Sequence, residues 1–159
     1  MKTAEKTNAA TITALDGRSL RGCQRIASEV FEENASERQA IRSFWSATQS
    51  GFTARLNGRI VGFALCTGQN PDGVEIQAFA VEKKYRRNGI GRTLLDKVVR
   101  LSRRKVIVRV DDRALEAHLF LRDRGFRAVQ IERGTFHDRY VFEGGPVPEM
   151  ENAVEFHSP

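Results

Sequence analysis

The sequence predicts a single α/β (α+β) domain in which a mixed, mostly antiparallel sheet of about seven strands carries helices on both faces. Three observations support this prediction. The chain has 159 residues, which is the size of one domain. Its composition, 40% hydrophobic and 29% charged, is that of a globular protein able to bury a core. Apolar residues recur with strand and helix periods in the order β-α-α-β-β-β-α-β-α-β-β.

A strand and two helices open the predicted domain. Residues 11–15 read as a short strand, and residues 20–31 carry apolar side chains at helical spacing. Ser36 and Gln39 have the spacing of a capping box, which predicts that a second helix begins there and runs to residue 48.

A hairpin and a third strand follow. Residues 52–56 and 60–66 predict two strands, and the Asn-Gly pair at 57–58 between them is typical of a two-residue type I′ turn. The Asn-Pro-Asp-Gly run at 70–73 predicts another turn before a strand at 74–81.

The second half of the chain alternates helices and strands. An amphipathic helix is predicted at 90–101, a strand rich in β-branched residues at 106–110, and two closing strands at 126–132 and 136–142.

One more helix lies between these strands. Asp111 or Asp112 can cap its N-terminus, it runs to Arg124, and Gly125 is placed to end it in a left-handed conformation.

The regions outside the domain, and the expected compartment, follow from polarity. Residues 1–10 and 144–159 predict flexible tails around a domain at 11–143. The N-terminus lacks the apolar segment of a secretory signal, and no apolar run approaches the ~20 residues of a membrane helix. We therefore expect a cytoplasmic protein without a membrane partner. Cys23, Cys66 and three scattered histidines lack the spacing of zinc ligands, so no metal is expected.

The charge is concentrated in one segment. The chain has a net charge of +6, and residues 83–105 contain ten Lys or Arg residues against the single acid Asp96. Such a segment fits an anionic partner, which can be a phosphorylated cofactor, a nucleic acid or an acidic protein, or it is simply a solvated helix face. Tyr85 is the one aromatic residue in it, so we do not expect a nucleic acid to be the partner.

The loop at 86–91, Arg-Arg-Asn-Gly-Ile-Gly, joins the strand at 74–81 to the helix at 90–101. Gly89 and Gly91 allow a ligand to approach the backbone N–H groups, and the positive end of the helix dipole points the same way. This arrangement predicts a phosphate or pyrophosphate site flanked by arginines. It is neither a GxxxxGK[ST] loop nor a dinucleotide fingerprint, because Leu94 stands where that fingerprint needs a third glycine.

The same loop matches the [Q/R]-x-x-G-x-[G/A] pyrophosphate loop of the GNAT acetyltransferase superfamily, and the chain resembles that superfamily from about residue 10 to 143. Residues 78–81 resemble its fourth strand, and residues 117–126, which end in Gly-Phe, resemble its second motif. Within the superfamily, residues 109–126 are most similar to the ribosomal-protein-alanine N-acetyltransferase group.

The resemblance implies an enzyme that moves an acetyl group from acetyl-CoA to a primary amine by direct attack, with a protein or peptide N-terminus as the expected acceptor. It implies that the pantetheine arm pairs with the backbone of strand four where that strand splays from strand five. A backbone N–H near Val81 would polarise the thioester carbonyl. The implied cofactor-binding residues are Phe79, Ala80, Val81, Arg86, Arg87, Asn88, Gly89, Ile90, Gly91 and Arg92.

The chain departs from the family where protons are transferred. The family's acidic general base falls on Arg109, its tyrosine general acid on Leu121, and its asparagine on Ala114. Glu75 is a substitute base, because strand alternation places it on the same face as Phe79 and Val81; it is otherwise a solvent-facing residue.

Other polar residues near the site have simpler roles. His118 could titrate usefully, but a hydrogen-bonded structural histidine is the simpler interpretation. Cys66 is expected to be inert core, and Tyr85 to pack beside the loop.

Two alternatives to catalysis stay open at this point: a GNAT-fold CoA-binding module with little catalysis, and a basic domain that binds RNA or the ribosome. A monomer and a homodimer are both compatible with the sequence.

Overall fold

A computed structural model of the protein describes residues 9–30, 50–68 and 71–145. Seven strands form one sheet: β1 (Thr11–Ala14), β2 (Gly51–Leu56), β3 (Arg59–Thr67), β4 (Val74–Val81), β5 (Val106–Asp111), β6 (Arg127–Glu132) and β7 (Arg139–Gly144). The α-helices of the described ranges are α1 (Leu20–Val30), α2 (Ile90–Ser102) and α3 (Leu115–Asp123). A short 3-10 turn, Lys83–Tyr85, precedes the loop that leads into α2. The helix predicted at 36–48, like most of both predicted tails, lies outside the described residues.

The strands are arranged in the order β1-β2-β3-β4-β5-β7-β6. Every neighbouring pair is antiparallel except β4 and β5, which are parallel. This confirms the predicted mixed, mostly antiparallel sheet of seven strands.

The sheet has an apolar core on each face. On one face, called the α1 face, Cys23, Ile26 and Ala27 of α1 pack with Phe63 and Leu65 of β3. On the other, the α2 face, α2 and α3 pack over β3, β4, β5 and β7, with buried leucines, valines and Phe142 at the centre. The predicted packing of helices on both faces is confirmed, because α1 presents its apolar residues at helical spacing to the first face.

Two predicted turns are confirmed by their backbone geometry. Asn57 and Gly58 have φ values of 54° and 83°, as a type I′ turn requires. Gly125 has a φ of 89°, and the N–H of Phe126 donates to the carbonyl of Leu121 at 2.9 Å, which ends α3 in the predicted way.

The predicted N-terminal cap of α3 was wrong. The helix begins at Leu115, and the residue at its cap position, Ala114, offers no side-chain hydrogen bond. Asp111 belongs to β5, so its backbone is committed to the sheet. Its carboxylate accepts the N–H of Arg113 at 2.8 Å and its carbonyl accepts that of Ala114, which makes a turn before the helix.

Strand β7 begins at Arg139 instead of the predicted residue 136. The carboxylate of Asp138 accepts the N–H of Gly134 at 3.1 Å and a side-chain hydrogen bond from Arg133 at 2.8 Å. These contacts hold residues 133–138 as a loop and delay the return strand.

A β-bulge in β4 changes which residues share a face. Leu65 pairs with Ala78 and Cys66 with Ile76, so Gln77 has no counterpart on β3. Ile76 and Phe79 therefore both pack on the α2 face, whereas Glu75, paired with Thr67, lies on the α1 face. The prediction that Glu75 shares a face with Phe79 and Val81 was wrong, because simple alternation does not hold across a bulge.

Candidate active site

Strands β4 and β5 separate after a short contact. They pair only from Val74 opposite Val106 to Ile76 opposite Val108. Beyond Ile76, β4 continues to Val81 without a partner on that side among the described strands, which confirms the expected splay. The bulge at Gln77 lies where the strands part, and bulges bend the strand that carries them.

The gap opens into a cleft of about 220 Å³. Most of its lining is apolar, with the rings of Phe79 and Phe120 5.9 Å apart. Arg109 also lines it. Since Arg109 alternates with Val108 and Val110, which pack on the α2 face, its side chain lies on the α1 face. Residues whose side chains lie on both faces of the sheet therefore border the cleft.

The main chain of Val81 faces this gap. Glu82 donates its N–H to the carbonyl of Val61 at 2.8 Å, so Gly62 and Val81 are a non-hydrogen-bonded antiparallel pair. The N–H and carbonyl of Val81 consequently point away from β3. The carbonyl accepts a hydrogen bond from Nε of Arg86 at 3.1 Å. Arg86, expected beside the pyrophosphate, is thus folded back on the end of β4.

The loop before α2 presents backbone donors. Gly89 occupies the cap position with a φ of 78° and provides no side-chain cap. The N–H of Thr93 makes the first helical hydrogen bond, to the carbonyl of Gly89 at 3.0 Å. The N–H groups of residues 90–92 precede it and have no intrahelical acceptor, and they are the donors of the predicted anion site. Arg87, with a φ of 69°, is held in a conformation that costs a non-glycine residue about 1–3 kcal/mol and is common at functional sites.

The anion site and the cleft are continuous. A Cβ placed on Gly91 would lie 3.6 Å from Cγ2 of Val81 and 3.7 Å from Cζ of Phe120. Phe120 lines the cleft and Val81 is the last residue of β4 beside the gap, so the start of α2 adjoins the cleft.

A buried carboxylate anchors the start of the loop, and the sequence did not reveal it. Glu82 is only 6% exposed, and its carboxylate accepts a hydrogen bond from Arg59 of β3 at 3.0 Å. The other carboxylate oxygen forms an ion pair with Nη1 of Arg25 on α1, at 3.7 Å. The neighbouring N–H of Lys83 donates to the carboxylate of Glu29 at 2.9 Å. The position of this glutamate directly after an apolar strand was the one feature of the sequence that could have indicated its burial. These contacts tie α1 to the loop.

Four charged side chains form an acid–arginine ladder across the α1 face: Glu75, Arg109, Glu132 and Arg139. Nη1 of Arg109 lies 2.5 Å from Glu75, and its Nε donates to Glu132 at 3.0 Å. Arg139 contacts the other oxygen of Glu132 at 3.0 Å. The hydrogen bond with Glu75 raises the pKa of Arg109 above its ordinary value, and the hydrogen bond from Arg109 lowers the pKa of Glu132. Arg109 is therefore a permanent cation, and Glu75 is its ion-pair partner.

The simpler interpretations of the remaining candidates agree with the structure. Nε2 of His118 lies 2.9 Å from the carbonyl of Asp111, and its ring packs edge-on against Tyr140 and Phe142. Cys66 is buried, which raises the pKa of its thiol to about 12 and leaves it unreactive. Tyr85 packs against the cluster around Val81 and Ile90.

The basic segment divides into two regions. Arg87 and Arg92 are exposed beside the anion site. Helix α2 has 13 residues and so extends about 20 Å. Arg100 and Arg103 lie near its far end, too distant to contact the same phosphate groups.

Asp111 supports a pH-dependent contribution to stability. A side-chain hydrogen bond from Arg113 lowers the pKa of Asp111 to about 2, and its ordinary value is 3.8. The interaction therefore stabilises the fold above about pH 4 and is lost as the pH falls through 2. Asp111→Asn should lower the melting temperature by a few degrees at pH 6, and this difference should narrow from pH 4 downwards. Thermal unfolding followed by circular dichroism across a pH series measures it.

Asp112→Asn is the matched control for this experiment, because Asp112 is the exposed neighbouring carboxylate. An Asp111→Asn effect that is constant from pH 6 to pH 2 would contradict the assignment.

Within the described ranges, none of the helices is both long and apolar enough to span a membrane. The same ranges contain no group of three or more His, Cys, Asp or Glu residues that could hold a metal ion.

A parallel strand pair that splits beside a glycine-bearing helix N-terminus offers a groove suited to an extended, phosphate-bearing ligand. The chain belongs to the acetyltransferase (GNAT) family, whose model matches residues 18–126, more than half of the sequence. This confirms the resemblance stated above. No curated protein sequence matches the chain.

Solved structures share the fold. Ard1 from Thermoplasma volcanium has a TM-score of 0.73 and 22% identity, over 86% of this chain and 97% of that one. The ribosomal-protein-S18-alanine N-acetyltransferase of Escherichia coli has a TM-score of 0.71 and 20% identity, over 84% of this chain and 92% of that one. Arabidopsis thaliana Naa50, in complex with the bisubstrate analogue CoA-Ac-MVNAL, has a TM-score of 0.66 and 19% identity, over 87% of this chain and 99% of that one. At these identities the comparisons show the fold alone.

Proposed function

We propose that the protein is a cytoplasmic N-acetyltransferase that moves an acetyl group from acetyl-CoA to a primary amine, by direct attack of the amine on the thioester. The observation that carries this proposal is the open gap between β4 and β5, which leads directly from the uncapped N-terminus of α2. The likeness to Naa50 and to the ribosomal-protein-alanine enzyme favours a protein or peptide N-terminus as the acceptor.

The two ends of acetyl-CoA suit the two parts of the site. The free N–H groups of residues 90–92 would receive the pyrophosphate, with Arg87 and Arg92 nearby. The pantetheine arm contains two amide groups, which can pair with the unused main-chain groups of β4. Phe79 and Phe120 provide apolar contact for the rest of the arm.

The length of the arm places the thioester deep in the gap. The arm is about as long as an extended tetrapeptide, roughly 14 Å. Val81 lies beside the anion site, and a strand rises about 3.3 Å per residue, so the thioester reaches the neighbourhood of Gln77. We therefore assign the N–H of Val81, whose carbonyl already accepts a hydrogen bond from Arg86, to pairing with the arm. The backbone N–H that polarises the thioester carbonyl, which the resemblance places near Val81, would then lie closer to the bulge, for example at Phe79.

Acetyl-CoA should raise the melting temperature of the protein by several degrees. At ~100 times its dissociation constant, a ligand that binds only the folded state adds about 2.7 kcal/mol to the free energy of unfolding. A thermal-shift titration measures this, with pantetheine, which lacks the pyrophosphate and should give little shift, as the control. The absence of a shift at millimolar acetyl-CoA would contradict the proposal.

A CoA-binding module with little catalysis is the second candidate. The observation that favours it is the pair of departures at Arg109 and Leu121, since Arg109 is an ion-paired cation and Leu121 is 5% exposed core. Release of the CoA thiol from acetyl-CoA in the presence of a panel of amines separates the two candidates. Binding without amine-dependent thiol release would favour the module.

A further inference from the structure

We propose that Arg109 is a catalytic residue whose guanidinium group stabilises the CoA thiolate as it leaves the thioester. This inference rests on the proposed function and adds a role at the position where the family's general base would lie. Its basis is the position of Arg109 in the cleft, the way in which its side chain is held, and the charges around it.

The position of Arg109 fits the sulfur. The arm of the cofactor brings the thioester near Gln77, and Gln77 and Arg109 line the same cleft from the two sides of the gap. Asp111 is the other charged residue among those described as lining the cleft, and it is an anion paired with Arg113. Within that lining Arg109 is therefore the one cation that can face a developing negative charge.

Two carboxylates hold the guanidinium group in place. Glu75 on β4 contacts Nη1, and Glu132 on β6 contacts Nε. These contacts come from opposite sides of β5 and fix the guanidinium group at two of its nitrogens. The side chain of Arg109 is 26% exposed, so the pairs are partly shielded from water. A cation held in advance costs no reorganisation when charge develops on the sulfur.

The reaction needs a cation near the sulfur because the position of the family's proton donor, the tyrosine acid, is occupied by a residue that cannot donate a proton. The lone pair of the neutral amine attacks the carbonyl carbon, and the C=O π pair moves to oxygen. When the carbonyl re-forms, the C–S bond breaks and its electron pair stays on sulfur. Leu121 occupies the position of the tyrosine acid and cannot protonate it. The thiolate leaves beside Arg109 and takes its proton from water, and the amine nitrogen loses its extra proton to water.

Glu75 then becomes a positioning residue. Its carboxylate is in the ion pair with Arg109 on the α1 face, so its effect on the reaction passes through the guanidinium group. This differs from the role of Glu75 as the general base, and the two roles predict different results when Glu75 is changed.

The pKa of the bound CoA thiol tests the proposal without any turnover. The ultraviolet absorbance of the thiolate, recorded against pH for CoA bound to the wild-type protein, should give a pKa about 1–3 units below that of free CoA, as expected for a cation within a few ångströms. Arg109→Gln should return the pKa to the free value, and Arg109→Lys should retain part of the shift. Arg127→Gln, which removes an exposed arginine of β6, is the control and should change nothing.

Turnover gives the second measurement. Arg109→Gln should lower kcat by up to about tenfold for each unit of thiol pKa shift that is lost, which is at most about 1,000-fold, at an unchanged KM for acetyl-CoA. Glu75→Gln should lower kcat and should also move the pKa of the bound thiol part of the way back to the pKa of free CoA. A Glu75→Gln variant that loses turnover with an unmoved thiol pKa would assign Glu75 as the base and overturn the proposal.

The failure of this inference is distinguishable from failure of the proposed function. Bound CoA whose thiol pKa equals the free value, in the wild-type protein and in Arg109→Gln alike, overturns the role of Arg109 only. A protein that shows no thermal shift with CoA or acetyl-CoA overturns both. Circular dichroism of each variant verifies that it is folded, and Arg109→Lys keeps the charge if Arg109→Gln does not fold.

Discussion

A peptide with a free α-amino group should be acetylated about 300-fold faster at pH 7 than a lysine side chain in an otherwise similar peptide. Only a neutral amine can attack, and the described residues around the reacting centre present an arginine where the family carries an acidic base. At pH 7 an α-amino group is about 9–17% neutral, and a lysine is only about 0.04% neutral. The ratio corresponds to about 3.4 kcal/mol, which is comparable to what general base catalysis contributes elsewhere.

Two peptides of one sequence measure this preference. One has a free N-terminus and no lysine, and the other has a blocked N-terminus and one lysine. The rate with the first should rise with pH and level off near the pKa of its own α-amino group. A preference for the lysine peptide, together with a rate that is flat from pH 6 to pH 9, would show that the protein contains an effective base.

Gly89→Val and Gly91→Val should each remove the thermal shift caused by acetyl-CoA, which corresponds to at least a 100-fold loss of affinity. The reasons differ. Gly89 has a φ of 78°, which a β-branched residue does not adopt without strain, so the loop would change its path. A Cβ on Gly91 would already lie at van der Waals distance from Val81 and Phe120, so the further branches of a valine would force either the loop or the cleft wall to move.

Gly58→Val is the matched control. Gly58 has a φ of 83° and lies in the hairpin turn between β2 and β3, where a Cβ, as at Gly89, would meet no atom within 4 Å. It should lower the melting temperature of the free protein through the same kind of strain and leave the acetyl-CoA shift intact. If all three variants lose the shift equally, the loss reflects general destabilisation and the loop has no special part in binding.

The elements that the sequence predicted correctly have local causes. The Asn-Gly turn, the strand at 74–81 and the helix after Gly89 each depend on residues within one short window, and the structure places all three as expected. The predicted anion site depends on an equally short window, because its glycines and a helix N-terminus lie within six residues, and its role in binding stays a prediction.

The features that the sequence did not reveal depend on distant partners. The bulge at Gln77 exists only in relation to β3, so alternation within β4 alone misplaced Glu75. Glu132 is separated from Arg109 by 23 residues and meets it only because β6 and β7 return beside β5. Glu82 meets Arg25 and Arg59 in the same non-local way.

The short contact between β4 and β5 has a consequence for how quickly the ligand is exchanged. With three residue pairs joining them, β1–β4 and β5–β7 are nearly separate half-sheets that share one seam. A molecule that enters the gap breaks no β4–β5 hydrogen bond, because the strands make none beyond Ile76. Arrival and departure of the arm therefore need no local unfolding of the sheet. An arm that pairs with β4, as we propose, would add main-chain partners to its edge and make the sheet more continuous.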